Sequence, residues 1–130
     1  MNTCKYANVM LIDDNDIDNF TNKKLIENAN FASQVLVLNS AKAALEHLSS
    51  STPENLPQLI FLDIMMPVMD GFEFLEQFEK LSETVRKNCK VIMLSTSESF
   101  KDLNRANKNI YVYKFLNKPL SDATLTAINV

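Results

Sequence analysis

The chain has 130 residues, 46% of them apolar and 22% charged, which is the size and balance of one folded domain in water. Thirteen basic and sixteen acidic residues leave a formal charge of −3, so no basic field favours nucleic acid and no Lys/Arg block marks an anionic membrane surface. No run approaches the ~18 apolar residues of a membrane span, and the start, MNTCKYANVMLIDD, puts acids directly after its apolar stretch, where a secretory leader needs small residues. The expectation is a cytoplasmic protein with no direct nucleic-acid binding and no membrane insertion. Cys4 and Cys89 are too few and too far apart for a disulfide framework or a zinc site and read as reduced thiols.

Residues 9–12 (VMLI) read as a first strand, followed by helical spacing in Ile17, Phe20, Leu25 and Ile26. Residues 35–38 (VLVL) form the second strand, with Ala41, Ala44, Leu45 and Leu48 as the apolar stripe of the helix after it. A loose stretch at 49–57 (SSSTPENLP) is too short to serve as a linker between separate domains. Residues 59–62 (LIFL) are the third strand, followed by Phe74, Leu75, Phe78 and Leu81; residues 91–94 (VIML) are the fourth, followed by Phe100, Leu103 and Ala106. The fifth, 110–116 (IYVYKFL), precedes Leu120, Ala123, Leu125 and Ile128.

Five strand–helix repeats imply an α/β domain over residues 1–130, with a parallel sheet and helices on both faces, because each helix returns the chain to the same edge. Polar groups follow every strand: Asp13 and Asp14, then Asn39 and Ser40, then Asp63, then Ser95, then Asn117 and Lys118. In the flavodoxin-like order 2-1-3-4-5 the switch point lies between strands one and three, which brings Asp13 and Asp14 beside Asp63.

Three carboxylates in one crevice are stable as an ionised set only beside a cation or a buried proton. Magnesium suits all-oxygen ligands with no His or Cys and is the expected ion, with manganese as a substitute. With Ser95 as a hydroxyl donor and Lys118 as a point cation, the set is suited to a phosphoryl group, and a carboxylate can serve as nucleophile to give an aspartyl phosphate.

The sequence resembles the receiver domain of two-component response regulators over nearly its whole length. The resemblance rests on LIDDND after strand one, FLDIMMPVMDGFEFL at 61–75, the hydroxyl residue in VIMLST and the Lys-Pro pair in FLNKPL, in this order and spacing. It implies Asp63 as phosphoacceptor, Asp14 as direct metal ligand, Asp13 as an acid acting partly through water, and the Met65 backbone carbonyl as a further ligand. It also implies that Ser95 and Lys118 bind the phosphoryl group, that Phe115 is the aromatic residue that reorients on activation, and that Pro119 is cis. The implied partners are a histidine kinase or histidine phosphotransfer protein as phosphodonor and a downstream protein target. Met65, two residues after Asp63, and Ser97, two after Ser95, flank the approach of a hydrolytic water. Twelve residues follow Lys118, an expected short helix without room for an output domain, whether this is the natural end or a receiver excised from a longer regulator.

Simpler readings attach to the remaining features. Asp16 reads as a helix cap and Asp18 as a solvated first-turn acid. His47 reads as exposed, and at least one of Met65, Met66 and Met69 as gap-filling core. Gly71, the single glycine, is expected to supply a positive φ. Where family members often carry glycine before strand five, Asn104, Asn107 and Asn109 stand nearby and tolerate the left-handed region. The main rival is a haloacid-dehalogenase-like, magnesium-dependent phosphatase, which places a second aspartate where this chain has Met65. A flavin-binding module of the same topology needs a phosphate-cradling loop after strand one, where this chain is acidic.

Overall fold

A computed structural model describes residues 4–95 and 100–128. Five parallel strands form one sheet: β1 (Tyr6–Ile12), β2 (Ala32–Leu38), β3 (Leu59–Asp63), β4 (Lys90–Ser95) and β5 (Val112–Asn117), in the order β2-β1-β3-β4-β5. The order is the one expected for the flavodoxin-like fold. Register is direct, with Val9 opposite both Val35 and Leu59, and Asp63 opposite Leu94. The fifth strand begins later than the apolar run suggests, since Ile110 lies exposed in a turn.

The central strands bury both faces, and their side chains alternate between two cores. Met10, Ile12, Ile60, Leu62, Val91 and Met93 point to one core, which α2 (Ala41–Ser50) and α3 (Gly71–Phe78) cover with Ala44, Leu48, Phe74 and Phe78. Val9, Leu11, Leu59, Phe61, Ile92 and Leu94 point to the other, closed by Ile26 of α1 (Asp16–Asn28) and Leu125 of α6 (Asp122–Ala127). A helix α5 (Phe100–Asn107) adds Ala106 to the first core.

Four local features differ from the sequence reading. A sixth helix, α4 (Glu83–Asn88), lies between α3 and β4: Ser82 caps it by accepting from the Val85 N–H, Val85 buries against the core, and Lys87 pairs with Glu83 at 2.9 Å. Helix α1 is rotated relative to its apolar spacing, burying Asn19, Asn22 and Ile26 while Ile17 and Phe20 face solvent. On α6, Leu125 is buried but Ala123 is exposed, and His47 on α2 is half-buried rather than exposed. Cys4 and Cys89 precede β1 and β4, which β3 separates, and form no disulfide with each other; burial pushes the Cys89 thiol up to about 12.

Candidate functional site

The chain leaves β1, β3, β4 and β5 on the same edge of the sheet, so Asp13, Asp63, Ser95 and Lys118 arrive together. Asp63 and Ser95 are the last residues of their strands, and both are buried with Asp13. The Lys118 N–H donates to the Ser95 carbonyl at 2.7 Å, tying the ends of β4 and β5, and the Lys118–Pro119 peptide is cis as expected.

Asp13, Asp14 and Asp63 each offer a carboxylate oxygen, and these oxygens lie within 4.8 Å of one another. Asp13 and Asp63 are buried while Asp14 is exposed at the mouth. They line a cleft of about 160 Å³ together with Asn15, Asp18, Met65 and Lys118. Asp13 is the most constrained: its Oδ1 accepts from the Asn15 N–H at 2.9 Å, its Oδ2 from Lys118 Nζ at 2.6 Å, and its carbonyl from Asn19 Nδ2 at 2.7 Å. The last contact explains why α1 turns a polar residue inward, because Asn19 holds the backbone of the first site acid.

Lys118 Nζ also lies 3.1 Å from Asp63 Oδ1 and 3.1 Å from Asp18 Oδ2. Burial and the neighbouring Asp13 charge push Asp63 up to about 6, against the opposing pull of Lys118. Burial disfavours the charge on Lys118, yet its hydrogen bonds to Asp13, Asp63 and Asp18 hold its pKa above the ordinary lysine value. One ammonium thus faces the carboxylates of Asp13, Asp63 and Asp18, with Asp14 nearby, so the side chains of the cleft carry an excess of negative charge. A hard divalent cation fits a donor set made only of oxygens and would relieve the repulsion between these acids.

The loop from Asp63 to α3 carries the other site features. Met65 is 73% exposed at the cleft, Met66 is buried in the core and Met69 half-buried against it. Gly71 does not have a positive φ. It opens α3 where a Cβ would lie 2.9 Å from the Asp63 carbonyl oxygen and 3.0 Å from Ile64 Cα, so the constraint is space rather than backbone conformation. The positive φ in this loop belongs to Val68 (φ 70°), between Pro67 and Met69, whose N–H donates to the Pro67 carbonyl at 2.7 Å. Asn104, Asn107 and Asn109 have ordinary negative φ; Asn109 instead accepts from the Tyr111 N–H at 2.9 Å and orders the turn into β5.

The structure corrects the roles of two first-turn residues. The cap of α1 is Asn15, whose Oδ1 accepts from the N–H groups of Ile17 and Asp18, so Asp16 is the first helical residue rather than the cap. Asp18 is not a free solvated acid but a partner of Lys118. The usable signal was Asn15 itself, a strong capping residue that sets the helical phase and so places Asp18 one turn beyond Asp14. Phe115 is half-buried against the core that contains Met93. Ser97 lies outside the described residues.

Comparison with known proteins gives a consistent result. Residues 9–129 match the response regulator receiver domain. Over 115 residues the chain is 35% identical to a probable methanogenesis regulatory protein, FilR2, of Methanothrix harundinacea, covering 87% of this chain and 72% of that protein. Its fold superposes on a response regulator receiver protein from Dyadobacter fermentans with a TM-score of 0.84 at 33% identity, covering 92% and 91% of the two chains. A two-component response regulator from Cytophaga hutchinsonii superposes with a TM-score of 0.85 at 28% identity, covering 95% and 92%. The chain thus belongs to the response regulator receiver domain family of two-component signalling.

Proposed function

We propose that residues 1–130 act as one receiver domain that takes a phosphoryl group onto Asp63 from a phosphohistidine of a kinase or phosphotransfer protein. The observation that carries this reading is the position of Asp63, buried at the end of β3 with Lys118 Nζ at 3.1 Å and the carboxylates of Asp13 and Asp14 beside it. In the transfer, an Asp63 carboxylate oxygen attacks phosphorus as the bond from phosphorus to the imidazole nitrogen breaks. The imidazole leaves with that electron pair. Asp14 would hold magnesium or manganese directly, Asp13 partly through water, and Asp63 and the Met65 carbonyl would complete the protein ligands. A bound divalent ion supplies positive charge against the phosphoryl oxygens. Lys118 neutralises a further oxygen and the Ser95 hydroxyl donates to another.

The output in this reading is binding to a downstream protein target rather than turnover of a substrate. Phosphorylation draws Ser95 toward the phosphoryl group and lets Phe115 move inward, which favours a second arrangement of the face formed by α5, β5 and α6. Among the described residues no helix is long and apolar enough to cross a membrane, and a cytoplasmic location accords with the phosphodonors proposed. The phosphatase alternative is not favoured, since Met65 stands where a second carboxylate would be required.

The test is the NMR spectrum of the full chain with magnesium before and after a small phosphodonor is added. Shifts should spread from Asp63 and Lys118 to Phe115 and Lys101. Shifts confined to the Asp63 cleft would contradict the switch.

A further inference from the structure

A lysine ammonium has three hydrogens to donate. Three carboxylates stand around Lys118: Asp13 Oδ2 at 2.6 Å, Asp63 Oδ1 at 3.1 Å and Asp18 Oδ2 at 3.1 Å. The first two belong to the acidic set already described. The third comes from the first turn of α1, where the Asp18 N–H donates to Asn15 Oδ1 at 3.0 Å and fixes the backbone from which its side chain leaves.

The three partners differ in solvation, and that decides which contact breaks most cheaply. The side chains of Asp13 and Asp63 are 5% and 6% exposed, whereas that of Asp18 is 39% exposed. A phosphoryl oxygen arriving on Asp63 needs one of the lysine's donors. Giving up Asp13 would strand a buried carboxylate, while Asp18 regains water when it lets go. We propose that Asp18 is a positioning residue that competes with the phosphoryl group for Lys118, holding one of its donors in the unphosphorylated protein and releasing it as Asp63 is phosphorylated. The proposal rests on the reading of Asp63 as phosphoacceptor. A contact made in the starting state and lost on the way to the transition state raises the barrier, so removing it speeds the reaction.

The experiment compares wild type with Asp18→Asn, Asp18→Glu and Asp16→Asn in the full chain. Asp16 is exposed on the same turn and is not among the ion-pair partners of Lys118. Two quantities are read: the rate at which phosphoramidate labels Asp63 in saturating magnesium, and the NMR signal of the Lys118 ammonium before labelling. Asp18→Asn should label about fivefold faster and shift the Lys118 signal, while Asp16→Asn should change the rate by less than about twofold and leave that signal in place. Asp18→Glu should restore both readouts toward wild type. Equal acceleration by Asp16→Asn would overturn the proposal, because the acidic rim as a whole would then be repelling the phosphodonor. An unchanged or slower rate, or an unmoved Lys118 signal, in Asp18→Asn would overturn it too. If wild type takes no phosphoryl group, the reading of Asp63 falls with it; if wild type is labelled at Asp63, the failure belongs to Asp18 alone.

Discussion

Gly71 packs directly against the backbone of Asp63: a Cβ at residue 71 would lie 2.9 Å from the Asp63 carbonyl oxygen and 3.1 Å from Met93 Cε. The Met93 methyl can yield, but the Asp63 carbonyl is part of β3 and cannot move without moving the Asp63 carboxylate in the cleft. Gly71→Ala is therefore expected to destabilise the protein by about 2 kcal/mol, the cost of overpacking, despite the better helix propensity of alanine. Urea unfolding measures it. A stabilised variant would show that the helix start can shift to make room.

Val68 is 99% exposed and has a φ of 70°, a conformation disfavoured for a β-branched residue. Its side chain buries nothing that would offset this strain. Val68→Asn should stabilise the protein by about 1 kcal/mol, since asparagine tolerates positive φ. Loss of stability in the same unfolding measurement would mean that the valine makes a compensating contact.

The raised pKa of Asp63 sets a pH dependence in the metal-free protein. Its folded value of about 6 lies above the ordinary 3.8, so between these values the folded state binds more protons than the unfolded chain. The contribution to stability is complete below the lower value and is lost as pH rises through about 6. The loss is at most about 3 kcal/mol. In chelator, Asp63→Asn should gain stability relative to wild type as pH rises from 4 toward 7.5, and magnesium should narrow the gap at the upper end. A stability difference independent of pH would contradict the burial argument.

Decay of the phosphorylated form is expected to depend on Met65. Its exposed, apolar side chain at the cleft cannot orient a water in line with phosphorus and can cover the path. Met65→Asn should speed dephosphorylation in magnesium, while Ser97→Ala should change it little. A decay no faster in Met65→Asn, followed by intact mass, would remove that side chain from control of the water.

Metal binding separates Asp14, which precedes α1, from Asp16, its first residue. Asp14→Ala should weaken magnesium binding more than Asp16→Ala, because only Asp14 has an oxygen within reach of Asp13 and Asp63. Equal losses in calorimetric titration would mean that the rim attracts the ion by its collective charge.

The sheet was readable because β1, β3 and β4 bury both faces, which leaves continuous runs of Val, Ile, Leu and Met. Their polar ends fixed where Asp13, Asp63, Ser95 and Lys118 would meet. Helix α1 was misread in phase because its inward side carries Asn19 and Asn22, and a buried asparagine bonded to a backbone carbonyl leaves no apolar period. Helix α4 escaped notice because six residues with one buried valine make no stripe. The contact from Asp18 to Lys118 joins residues a hundred positions apart, and spacing within α1 alone cannot reveal it.

The central claim is that Asp63 alone accepts the phosphoryl group and needs a divalent cation to do so. The direct measurement is the intact mass of wild type and Asp63→Asn after incubation with phosphoramidate, in magnesium and in excess chelator. The account predicts a gain of one phosphoryl group in wild type with magnesium and none in the other three samples. Labelling of Asp63→Asn, or full labelling of wild type in chelator, would contradict it.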